Sequence, residues 1–282
     1  MFRLVEASAV IREAVPPELV PVFWAITALG SAKILMIGLS LAYWNAERHR
    51  EELLSVISVA FLATSVTLAL KYGFDLPRPP EAVRHYPIEP SPVGFPSGHA
   101  IASTTIYGGM VLAFDRYRDA KTVLGVGVLV SLISLSRVVL GVHYLGDILA
   151  GFAVGLVMLG VVAVAVERGP TLIFGLAVLC SIPAVAVTTE TADAALAVGG
   201  SVGGLAATVW HTGSVDFRSR VERLVLNGLG LGVIGLSILL VELLGTLLLA
   251  ATVVNVGLVF SIVAMPALIG RFDGLAGAST AG

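Results

Sequence analysis

Three polar clusters interrupt an otherwise apolar chain, and their residue types suit an anionic group. The first runs from Lys71 to Arg78-Pro79, the second is Pro96-Ser97-Gly98-His99, and the third is Ser136-Arg137 followed by His143 and Asp147. Lys71, Arg78 and Arg137 are cations. A guanidinium can grip two phosphate oxygens at once, and an ammonium adds a point charge. Ser97 is placed to cap a helix starting at Gly98, where free backbone N–H groups and the positive end of the helix dipole attract an anion. Gly98 lets a ligand approach the backbone, and His99 falls in the first turn, suited to donating a proton. His143 and Asp147 are four positions apart, which puts them on one face of a helix. A carboxylate there can hold one ring nitrogen and leave the other as a nucleophile. Each cluster alone also has an ordinary reading: snorkelling cations, a capped turn, a helix-end ion pair.

The elements that must position these residues are apolar helices. Of 282 residues, 57% are hydrophobic and 13% charged, and the mean hydropathy is +0.96. A soluble domain carries about 25% charged residues. Many apolar stretches approach the roughly 20 residues that span a bilayer. No barrel-like alternation appears, so an all-α, polytopic transmembrane bundle is expected. The pattern predicts about nine spans, near 20–44, 53–70, 99–114, 122–136, 144–166, 171–187, 194–210, 224–241 and 246–269. Residues 1–19 mix Arg3, Glu6, Arg12, Glu13 and Glu18 with apolar side chains and read as an interfacial amphipathic segment, not a signal peptide. The proline-rich stretch from Tyr72 to Gly98 is too long to be filler.

Net charge is −2, and no basic block suggests nucleic acid. The single cysteine, Cys180, lies in an apolar run and reads as packing. No cysteine–histidine set has zinc spacing. With nine spans, Arg48, Arg50, Arg116, Arg118, Lys121, Arg168, Arg218, Arg220, Arg223 and Arg271 collect on one side, which the arginine and lysine bias makes cytoplasmic. All three clusters fall on the other side. Lys33, in the middle of the first predicted span, needs a partner or water there. Asp75, Arg84, His85, Tyr86 and Glu89 lie near the clusters and read as solvated loop residues. His49 and His211 fall on the cytoplasmic side, and Glu190 and Asp193 read as turn residues.

The patterns Lys-x6-Arg-Pro, Pro-Ser-Gly-His and Ser-Arg-x5-His-x3-Asp resemble, in order and spacing, the three signature motifs of the type-2 phosphatidic acid phosphatase superfamily. That group includes lipid phosphate phosphatases, undecaprenyl diphosphate phosphatases and glucose-6-phosphatases, and vanadium haloperoxidases share its site. The resemblance implies a six-helix phosphatase core over 20–187, an interfacial segment over 1–19, and about three additional C-terminal spans over 188–282 with no family role. It implies His143 as nucleophile, Asp147 as its orienting carboxylate and His99 as the acid. Lys71, Arg78, Ser97, Gly98, Ser136 and Arg137 would bind phosphate. No cofactor and no metal is implied. The expected partners are a lipid phosphate or polyprenyl diphosphate and the bilayer, with a multi-pass protein in the cell membrane whose site faces away from the cytoplasm. Alcohol-accepting phosphotransfer, and lipid transport or binding without catalysis, are the alternatives. Oligomeric state is not legible.

Overall fold

The computed structural model describes residues 2–46, 48–85, 91–188, 191–210, 220–244 and 247–279, without the side chains of Val187 and 270–279. Tyr86, Glu89, Glu190 and His211 lie outside the described residues. A short helix α1 (Val5–Glu13) leads through a 3-10 turn to α2 (Val20–Ala28) and α3 (Ala32–Asn45). Then come α4 (Arg50–Phe74), α5 (Gly98–Ala113), α6 (Ala120–Val139), α7 (Leu145–Arg168) and α8 (Pro170–Val187). The C-terminal helices are α9 (Thr191–Trp210), α10 (Arg220–Leu244) and α11 (Leu248–Ser279). Among the described residues there is no strand; Pro77 and Val93 form an isolated antiparallel bridge.

Six helices are long and apolar enough to cross a membrane: α4, α6, α7, α9, α10 and the 248–269 part of α11. The first predicted span is not one helix. It breaks after Ala28 and bends by 47° before α3 resumes, and counting that pair as one span gives seven. Ser31 explains the restart, because its hydroxyl caps α3 by accepting from the Ile34 N–H. The expected third span is α5, whose 16 residues reach only about 24 Å, short of the roughly 30 Å hydrocarbon core. The expected sixth, α8, is likewise short. Lys33 follows the α2–α3 bend and has the partner that its place in an apolar segment requires. It sits in the first turn of α3, paired with Glu242 of α10 at 2.7 Å.

Close helix contacts set the bundle. On α9, a Cβ on Gly199 or Gly203 would strike the α11 backbone at Thr252 or Val256, while Gly200 and Gly204, one position on, receive the rings of Phe61 and Phe174. Small residues thus let α9 wedge between α11 and the α4–α8 pair. Pro266 has no N–H, so the Ile262 carbonyl one turn back loses its helical donor. The buried Trp44 indole donates to that carbonyl at 2.9 Å, and Tyr43 donates to Val263 O at 3.0 Å. Two aromatics of α3 thereby lock onto α11.

At the opposite end of the bundle lie the C-termini of α4 and α6 and the N-termini of α5 and α7. Residues 2–13 pack across this end. Ser8 is fully buried, and its hydroxyl accepts from the Leu145 N–H at 2.8 Å. The long loop is pinned as well: His85 N donates to Leu140 O, Trp24 donates to His85 O, and Arg84 is spent on Pro79 O.

The α5–α7 contact brings two of the clusters together. A Cβ on Gly151 would stand 2.7 Å from Ala100 Cβ and 2.8 Å from Ser97 O. Gly151→Val is expected to cost about 1–3 kcal/mol by overpacking, seen as a lower thermal midpoint in detergent. Gly228→Ala, where nothing lies within 4 Å, is the matched control and leaves the midpoint in place.

Candidate active site

Lys71, Arg78, Gly98, His99, Arg137 and His143 line one cavity. Each comes from the end of an element. Lys71 is in the last turn of α4, and its ammonium lies 4.0 Å from where a Cβ on Gly98 would sit, which leaves the start of α5 open to it. His99 follows in the first turn of α5. Its ring lies against Gly30 in the α2–α3 break, 3.0 Å from where a Cβ would stand. The broken helix thus reaches the site that a continuous one would cross. Arg137, 2% exposed, donates to Thr27 Oγ1 at 3.0 Å, so α2 also holds the third cation.

Arg78 is fixed by the loop that carries it. The bridge between Pro77 and Val93 folds the loop back, and the guanidinium donates to Ser91 O at 2.8 Å and Val142 O at 3.0 Å. Its Nη1 also lies 3.1 Å from His143 Nε2. A guanidinium nitrogen can only donate here, so Nε2 presents its lone pair and the ring proton sits on Nδ1. Nδ1 faces Asp147 Oδ2 at 3.5 Å, a long contact of the kind that tightens when a substrate binds. His143 is not on a helix, as the spacing had suggested. It precedes Tyr144, the N-cap of α7, in a turn closed by Val142 N and His143 N donating to Arg137 O. Gly141 makes that turn possible, with φ +72° and residue Val83 packed where a Cβ would go.

Asp147 is held by a residue that sequence reasoning missed. Arg3 donates to both carboxylate oxygens at 2.8 Å and to Pro77 O at 2.7 Å, and stacks 4.5 Å over the Tyr144 ring. Asp147 Oδ2 also accepts from Tyr144 N at 2.9 Å. No spacing rule joins positions 144 residues apart. Ser97 and Ser136 do not line the cavity. Ser97 caps α5 and its N–H donates to Asp147 O at 3.0 Å, while the Ser136 hydroxyl donates back to Ile133 O at 2.6 Å.

Burial first, then the charges of Arg78, Arg137 and Lys71, hold the His143 imidazole well below the usual histidine value of 6.5. Arg3 offsets the Asp147 charge that would otherwise oppose them. The His143 imidazole is therefore held in its neutral form near neutral pH. Among the described residues no group of three or more His, Cys, Asp or Glu is placed to hold a metal ion.

Residues 52–169 match the PAP2 superfamily, a stretch that contains every one of these residues except Thr27, Gly30 and Arg3. Phosphatidylglycerophosphatase B of Bacillus subtilis (strain 168) is 29% identical over 164 residues, covering 54% of this chain and 76% of that protein. No solved structure matches. The PAP2 match and this relative support a lipid phosphate phosphatase, a hydrolase. The match is narrower than the expected 20–187 core and leaves α9–α11 outside it.

Arg3 should matter to turnover even though it lies outside the PAP2 segment. Arg3→Gln releases the carboxylate, and misplacement of a catalytic group by about 1 Å costs up to about 100-fold. The expected result is a kcat lowered about 10- to 100-fold with KM little changed. Freed of its cation, Asp147 also favours the protonated imidazole, so the acid limb of kcat/KM moves to higher pH.

Proposed function

We propose that the protein hydrolyses a lipid phosphate or polyprenyl diphosphate through a phosphohistidine on His143, without a metal ion. The observation that carries this is one cavity in which three cations surround two histidines, with a carboxylate behind one of them. The Nε2 lone pair attacks phosphorus in line. Arg78, now donating to Nε2, turns its hydrogen toward a phosphoryl oxygen as Lys71 and Arg137 take the others. The start of α5 at Gly98 adds backbone donors, with Ser97 and Ser136 supporting the helix ends that carry them. The phosphorus–oxygen bond to the lipid breaks, and His99, charged once the bound phosphate offsets the three cations, gives its proton to the leaving oxygen. Asp147 stabilises the positive charge that His143 gains on forming the phosphohistidine. Water then attacks the phosphohistidine, His99 takes its proton, and the phosphorus–nitrogen bond breaks to release phosphate. The cations supply the charge that magnesium supplies at other phosphoryl-transfer sites.

Residues 20–187 form the catalytic unit in this reading, with 188–282 an addition to it. The site opens away from the cytoplasm of the cell membrane, supported by the arginine and lysine bias of the opposite loops. Phosphatidylglycerol phosphate is the first substrate to try, given the relative.

Purified protein in detergent is expected to release phosphate from such a lipid in the presence of EDTA, and His143→Ala to abolish release. Loss of activity in EDTA that added Mg2+ restores would overturn the metal-free reading. On the acid side, kcat/KM reports the free enzyme, and the active form of His143 is neutral. Because its protonation is pushed down, the acid limb should fall below 6.5, and a limb above that value contradicts the neutral-nucleophile assignment.

A further inference from the structure

The cavity that holds the cations does not end at them. It has a volume of about 540 Å3 and continues between α3, α4 and α5 on one side and α9, α10 and α11 on the other. Along α4 its lining runs from Lys71 to Ile57, about 21 Å at the helical rise, more than half of the roughly 30 Å hydrocarbon core. Its character changes along that path. The cations and histidines are gathered at one end, and beyond them Leu35, Leu39, Ile106, Leu258 and Ile262 make the wall apolar.

Both ends of the chamber are built. Just past Leu39 and Ile262, beyond the cavity's lining, the locked pair Tyr43 and Trp44 packs α3 against α11, and Trp44 fills the space left by the missing Cβ of Gly230. Along the α3–α10 seam the two helices are tied at their extremities. Lys33 pairs with Glu242 near the site, and Asn45 pairs with Asn227 at 2.9 Å at the far end. Between these ties the cavity wall is formed by Met36, Ser40, Ser237, Ile238 and Val241, which lie across the chamber. Lys33 and Glu242 line the cavity yet are 63% and 60% exposed, so they stand at its mouth.

We propose that this chamber takes the hydrocarbon tail of the lipid phosphate, and that binding the tail is the role of α9–α11. A cavity that gathers cations at one end and is largely apolar beyond them, with Ser40, Ser237 and Asn255 as polar interruptions, is complementary to an amphiphile with an anionic head. The proposal rests on the phosphatase reading for its head group. It goes beyond that reading by giving the C-terminal helices a function and by making the Tyr43–Trp44 floor the limit on tail length.

Two measurements test it, one of which needs no turnover. Ser237→Phe fills the chamber from α10, outside the PAP2 segment. The ratio of kcat/KM for dioleoyl phosphatidic acid to that for phenyl phosphate, which has no tail, is expected to fall at least about tenfold. Each methylene left in water costs roughly fourfold in affinity. An unchanged ratio overturns the proposal. In the second, a long-chain lipid phosphate with a diazirine in its tail is photolysed on the wild-type chain and on His143→Ala. Adducts on Met36, Ser237 or Leu258, removed by excess unmodified lipid, are expected. Adducts confined to outward-facing residues such as Leu156 and Leu179 overturn it. Chamber adducts without phosphate release would sink the phosphatase reading and leave the tail site standing. Phosphate release with only outward adducts would do the reverse.

Discussion

Crowding like charges at the edge of hydrocarbon is the constraint on which the structure turns. Lys71, Arg78 and Arg137 repel one another, and burial raises the cost of each. Among the described residues, neutral oxygens orient the arginines: Ser91 O and Val142 O for Arg78, Thr27 Oγ1 for Arg137. The carboxylate beside His143, Asp147, stands behind the ring and is matched by its own arginine, Arg3. Positive charge in front and a balanced pair behind leave the imidazole neutral between them.

Much of the local architecture serves that arrangement. The α2–α3 break places Thr27 and Gly30 against Arg137 and His99. The folded-back loop aims Arg78, and the tight turn at Gly141 swings His143 off the end of α6 toward the N-terminus of α7. Helix ends converge because only there are backbone donors and carbonyls free of helical partners. A site built from mid-helix side chains would lack both the anion-attracting N–H groups of α5 and the carbonyl acceptors that orient the guanidiniums.

The motifs and the helical class could be read directly, because both are local: fixed spacing within a cluster and long apolar runs. The convergence of Lys71, His99, Arg137 and His143 also followed, since alternating spans put their loops on one side. What could not be read was long-range or depended on subtle local chemistry. Arg3 and Asp147 are linked only through tertiary structure. The break at Gly30-Ser31 hid inside an apolar run whose hydropathy it barely alters. His143 looked helical by spacing but belongs to the turn before the N-cap. The Ser97 cap was legible and is present, whereas the Ser136 hydroxyl bonds back to Ile133 O and does not face the cavity. The chamber was invisible because its walls come from helices far apart in sequence, and apolar lining looks like apolar core.

The aromatic floor at Tyr43 and Trp44 has a consequence for the bilayer itself. A passage that starts at water and runs deep into the protein is a potential leak. Cations at its head repel metal ions, and the buried aromatic pair beyond its far end stands in the way of water. By tying those rings to the carbonyls freed around Pro266, the protein can hold a deep opening in the membrane while preserving the ion gradients across it.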